Sequence, residues 1–77
     1  MSLRPLYKPK STDVKIEIFN LLGQRIRTLV DEEKPAGSYT VVWDERMENG
    51  EPAASGVYIY RLKTGQFEKS RKLVLLR

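Results

Sequence analysis

The side chains that could bind or react gather in two acidic runs. Asp44, Glu45, Glu48, Asn49 and Glu51 crowd one stretch, and Asp31, Glu32 and Glu33 form another. Carboxylates at that density can hold calcium through oxygen ligands, and paired carboxylates can share acid–base work. The spacing does not match the D-x-[DN]-x-[DN]-G calcium loop, so both runs read as solvated loops with no metal. Histidine and cysteine are absent from the 77 residues. That removes the usual general base, the commonest metal ligand, and any disulfide or thiolate metal site. No catalytic residue, cofactor site or metal site is expected, and the chain reads as a non-enzyme.

A second constellation is aromatic. Tyr39, Trp43, Tyr58 and Tyr60 could stack on sugars or bases. All four fall at strand spacing beside aliphatic neighbours, which favours core packing, with Tyr7 the freest aromatic. Gly23, Gly37, Gly50, Gly56 and Gly65 lie between strand-like runs, none at a phosphate-cradling spacing. They read as turn glycines chosen for positive φ.

The charge balance is 14 basic against 10 acidic residues, a net +4. The basic groups are spread along the chain, thickening mildly at Arg4–Lys10 and Lys69–Lys72. Interspersed acids break any continuous positive stripe, so no nucleic-acid partner is expected. Leu73-Val74-Leu75-Leu76 is too short to span a bilayer, which takes about 20 apolar residues. Met1–Lys10 holds no apolar secretion signal. An exported parent would carry that signal further upstream, with Met1-Ser2-Leu3 an appended leader.

These side chains need strands to position them. Hydrophobic content of 40% with 31% charged residues fits one small soluble domain. Residues 1–12, with Pro5 and Pro9, predict an extended lead-in or partial edge strand, and residues 13–77 the domain proper. Asp13–Phe19 alternates, with Val14, Ile16 and Ile18 on one face and Lys15 and Glu17 on the other. Asn20-Leu21-Leu22-Gly23 suits a type I turn leaving through a left-handed glycine. Gln24–Val30 returns with Ile26 and Leu29 inward, and Asp31–Gly37 reads as a loop. Ser38–Asp44 predicts a strand placing Tyr39, Val41 and Trp43 on one face. A loop from Glu45 to Gly56 contains the turn dipeptide Asn49-Gly50 and Pro52.

Val57–Lys63 predicts a strand with Tyr58, Tyr60 and Leu62 inward and Arg61 on a wetter face with Val57 and Ile59. Phe67–Leu76 is the last strand, its apolar end continuous enough for burial on both faces. With no sustained helical periodicity, the sum is an all-β chain. The expected fold is a small immunoglobulin-like or fibronectin III-like antiparallel β-sandwich of five to seven strands. So small a core, with open sheet edges, predicts a marginal monomer or a weak homodimer through edge strands.

Four segments in order resemble the C-terminal sorting domains of the bacterial type IX secretion system. They are Ile16–Leu29, Ala36-Gly37 with Val41-Val42-Trp43-Asp44, Ser55–Leu62, and the basic-flanked tail Arg71–Arg77. The Ala-Gly and Trp-Asp pattern is also similar to the immunoglobulin-like domain of the flagellar hook-cap protein. The resemblance makes Gly23, Gly37, Trp43, Asp44, Gly56, Tyr58 and Tyr60 structural motif positions. It departs from the family after Trp43-Asp44, where a glycine is common and this chain has Glu45, and again at Met47, where an aspartate is expected.

The resemblance implies a non-catalytic sorting and anchoring module of a longer exported protein, secreted or held at the cell surface. Secretion machinery would read Lys72, Leu73, Val74, Leu75, Leu76 and Arg77 together with an exposed strand edge. The alternative is a structural or adhesive spacer, contacting neighbouring domains of a multidomain enzyme or a hook-cap-like assembly. A parent reading frame that continues past Arg77 into another domain would favour the spacer.

Overall fold

The computed structural model describes residues 6–8, 12–35, 37–65 and 67–76 of the chain. Six strands follow in order: β1 (Leu6–Lys8), β2 (Thr12–Asn20), β3 (Arg25–Lys34), β4 (Gly37–Tyr39), β5 (Gly56–Thr64) and β6 (Phe67–Leu75). Four of them form one antiparallel sheet in the order β3-β2-β5-β6, and β1 pairs with β4 separately. Among the described residues, no helix is long and apolar enough to cross a membrane.

Alternation in β2 sets the whole arrangement. Val14, Ile16 and Ile18 are buried on one face. The ladders carry that face to Leu62 and Tyr60 on β5, while Asn20 pairs with Tyr58. Tyr58 in turn opposes Leu73 on β6, and Gly56 opposes Leu75. Ile18, Trp43, Ala53, Tyr58, Leu73 and Leu75 form one buried cluster, and Val14 and Ile16 a second. Val41 and Leu29 touch both, so they join the two into one core layer.

The β2–β3 turn forms as its residue types dictate. Gly23 lies at φ +84° and its N–H donates to the Asn20 carbonyl at 3.0 Å. The Asn20 side-chain oxygen accepts from the amides of Leu22 (2.9 Å) and Gln24 (3.0 Å), an Asx-type lock.

Three sequence expectations need correction. β3 does not stop at Val30 but runs through the acidic residues to Lys34, because Thr12–Lys15 of β2 remains available to pair with it. Ser38–Asp44 is not a continuous strand: β4 ends at Tyr39, its only strand partner among the described residues being the three-residue β1. The chain then leaves the ladder so that Trp43 can reach the core, where it is fully buried. Third, the apolar end of β6 is buried on one face only. Leu73 and Leu75 turn inward while Val74 and Leu76 are 51% and 84% exposed. Nothing covers the outer face of that strand among the described residues. The side chains of Tyr7 and Tyr39, and Arg77 altogether, lie outside the described residues.

Inward placement of both Ile26 and Leu29, three positions apart, requires breaks in a period-two strand. The register supplies two. Ile16 pairs with Val30 but Glu17 with Thr28, and Ile18 pairs with Arg27 but Phe19 with Arg25. Leu29 and Ile26 are the extra residues of two β-bulges, and both pack against the core.

Candidate functional site

The first acidic run proves to be a clasp. Trp43 anchors it, with its ring edge-on to Tyr58 at 5.7 Å and its indole N–H donating to the Arg46 carbonyl at 3.0 Å. One Asp44 carboxylate oxygen accepts from the Arg46 amide (3.1 Å) and from the Arg27 guanidinium (2.9 Å). The same guanidinium nitrogen reaches the Arg46 carbonyl at 3.1 Å. Glu48 closes the arrangement from both ends: its amide donates to the Ile26 carbonyl at 2.7 Å, and its carboxylate accepts from the Thr28 amide at 3.0 Å. These are backbone groups on the outer edge of β3, at its bulged part.

A small hairpin holds the clasp in shape. Arg46 bridges to Pro52, and the Gly50 amide donates to the Met47 carbonyl at 2.9 Å with Gly50 at φ +89°. The Asn49 side-chain oxygen accepts from the Glu51 amide at 3.0 Å. Glu45, where the family resemblance expects glycine, occupies φ +64°. A side chain in that left-handed region costs roughly 1–2 kcal/mol, so the loop keeps the geometry in spite of its residue. The sequence reading of a merely solvated loop is therefore corrected: Asp44, Glu48 and Asn49 use their oxygens on the chain itself. Among the described residues no group of three or more Asp, Glu, His or Cys side chains is placed to hold a metal ion.

The opposite face of the sheet holds a feature that the sequence reading missed. Glu17, assigned to the solvated side of β2, is buried, at 6% exposure. Its carboxylate lies 3.1 Å from the Arg61 guanidinium, 3.7 Å from that of Arg25 and 3.9 Å from the Lys15 ammonium. Arg61 also lies over the Phe19 ring, 4.7 Å from its centroid. Three long cationic side chains thus cover one anion and exclude water from it. The signal was present in the residue types, because Glu17 and Arg61 are directly opposed across β2 and β5. Only the pairing of strands 44 positions apart makes it readable.

The positions singled out by resemblance divide by role. Trp43, Tyr58 and Tyr60 join or contact the core, with the Tyr58 hydroxyl donating to the Ala54 carbonyl at 2.6 Å. Asp44 belongs to the clasp and Gly23 to the β2–β3 turn, while Gly37 opens β4 and Gly56 opens β5. The proposed recognition tail is not one surface. Leu73 and Leu75 are core residues and therefore unavailable for direct reading; Lys72, Val74 and Leu76 are exposed.

A shallow depression of about 460 Å³ is lined by Asp13, Val14, Lys15, Asp31, Glu32, Lys63 and Gly65. Its charges are of mixed sign, and it opens broadly to solvent. The more distinctive surfaces are the two sheet edges. The outer edge of β3 is closed by the clasp near Thr28, and no described strand pairs with it from Val30 to Glu33. No described strand lies beyond β6 at the other edge.

Against known proteins, a family model for the FlgD Ig-like domain matches residues 1–66. That span takes in β1 to β5, the Trp43 clasp and Glu17, and ends just before β6. No curated protein and no solved structure matches the chain.

Proposed function

The chain belongs to the FlgD Ig-like domain family, and from that premise we propose that it is a non-catalytic immunoglobulin-like spacer. It acts by rigid packing and by edge contacts with neighbouring domains or subunits of a longer exported protein. In this reading β1, β4 and the Val41–Ala53 segment make the second layer of a small sandwich over the four-stranded sheet.

The observation that carries the proposal is the use of the polar groups. The acidic loop is engaged in holding the Trp43 clasp against β3, and Glu17 is enclosed by three cations. Trp43 and Tyr58 fill the core and Tyr60 packs against it, which leaves sheet edges as the surfaces suited to contact. The test is mechanical. Placed between two dye-labelled reporter domains, the chain should hold the dyes at one narrow distance. A broad distribution like that of a disordered linker of equal length would contradict it.

A second reading, the sorting module of secreted or cell-surface proteins, is favoured by one specific observation. Lys72, Val74 and Leu76 stand exposed along the uncovered β6 edge, where a receptor strand could add. Fused to a periplasmic reporter in a host with type IX secretion, the chain should direct surface display. Removal of residues 72–77 should abolish it, provided that a Val74→Asp, Leu76→Asp variant with an intact core does so too. Equal display of the wild type and the variant would exclude the tail.

A further inference from the structure

The two open edges of the sheet carry opposite charge. On β3, Val30–Lys34 presents three carboxylates, Asp31, Glu32 and Glu33, against one lysine, and no bulge interrupts its pairing with β2. On β6, Glu68–Lys72 presents three cations, Lys69, Arg71 and Lys72, against one carboxylate, within nine consecutive regular pairs to β5. Asp31, Glu32, Arg71 and Lys72 are all exposed. Glu32 approaches Lys34 at 3.2 Å, whereas Asp31, Arg71 and Lys72 have no ion-pair partner among the described residues.

We propose that a second copy of this chain is the occupant: β6 of one copy pairs antiparallel with the acidic end of β3 of the next. This rests on the reading of the chain as an edge-contact module. Pairing of β6 with itself would set a predominantly basic strand against its equal, which like-charge opposition disfavours. The β3–β6 contact sets opposite charges together.

Direction and register both permit it. Because the sheet is antiparallel throughout, β6 and β3 run in opposite directions, so adding the β3 of a next copy beyond β6 continues the alternation. Opposing Glu32 to Arg71 also opposes Asp31 to Lys72, Val30 to Leu73 and Glu33 to Ser70, with Lys34 against Lys69 the single like-charge pair at the strand's end. Each pair lies on the same face, since Glu32 shares the face of Val14, and Arg71 that of Tyr60. Carried through the three ladders, the alternation of backbone groups puts the outward N–H and C=O of β3 and β6 on residues of opposite parity. This register opposes odd to even positions and so satisfies them. Such a contact is heterologous: each copy keeps one edge of each kind free, and growth is open-ended.

The test is a charge exchange read by sedimentation over a wide concentration range, with circular dichroism confirming the fold of each variant. Wild-type chain should grow in mean mass with concentration at low salt and lose that growth at high salt. The Asp31→Lys, Glu32→Lys variant and the Arg71→Glu, Lys72→Glu variant should each stay monomeric. An equimolar mixture of the two should associate again, because each restores an opposite-charge edge for the other. If reversal misfolds either chain, neutral Asn and Gln replacements at the same positions should each weaken association at least tenfold. Three results would overturn the proposal: a wild-type monomer at every concentration, no recovery in the mixture, or association that depends on β6 residues and ignores those of β3. None of these bears on the dye-distance test of the spacer reading, so the two claims fail separately.

Discussion

The two edges of the main sheet differ in how they handle unpaired backbone. At β3 the strand is bulged twice, and Glu48 satisfies both the Ile26 carbonyl and the Thr28 amide. At β6 the ladder is regular for nine pairs, and no described element lies beyond it. The comparison shows that one residue, Trp43, links core to edge: the side chain that fills the core also fixes the loop that shields β3. A loop shields β3 near Thr28, whereas the acidic end of β3 and the whole of β6 carry exposed charge and no shielding loop among the described residues.

Removing the link should have the largest effect. Trp43→Ala deletes a fully buried indole and should cost about 3–5 kcal/mol. That is a large part of the stability available to so small a domain. Urea unfolding should show the midpoint collapse; a loss below about 1 kcal/mol would mean that the clasp and core are independent. Glu17→Gln comes next. It leaves Arg61 facing a neutral amide at a buried site, and a loss of about 1–3 kcal/mol is expected. Because Arg61, Arg25 and Lys15 remain partly open to solvent, the lower part of that range applies.

A smaller change sharpens the contrast between edges. Glu48→Ala removes the acceptor of the Thr28 amide and should cost about 1 kcal/mol. Thr28 should then exchange its amide hydrogen faster while the amides of β6 are unchanged. Smallest of all is Val74→Thr on the open face of β6, expected within about 0.5 kcal/mol of wild type by thermal unfolding. A larger loss there would show that β6 is covered in solution by something beyond the chain as described.

Much of this was legible in the sequence where the cause is local. Val14, Ile16 and Ile18 announce a half-buried strand by alternation, Asn20 and Gly23 announce their turn, and Tyr58 and Tyr60 their inward face. The failures share a different cause. Asp31–Lys34 looks like a loop because its charges suit solvent, yet an edge strand tolerates charge on both faces. Glu17 looks solvated until β5 brings Arg61 across from it. The acidic residues after Trp43 suggest a soluble loop, whereas their partners, Ile26, Arg27 and Thr28, lie about 20 positions earlier and meet them only once the strand has bulged. β6 misleads differently: four apolar residues in a row do not say which two face the core until the register with β5 is known.

Trp43 and its loop close the β3 edge near Thr28 while β6 stays open, and amide hydrogen exchange of the dilute monomer measures this directly. Slow exchange is expected at Thr28 and Glu48, with every second amide along Glu68–Leu75 exchanging fast. Rapid exchange at Thr28 together with uniform protection along β6 would contradict it.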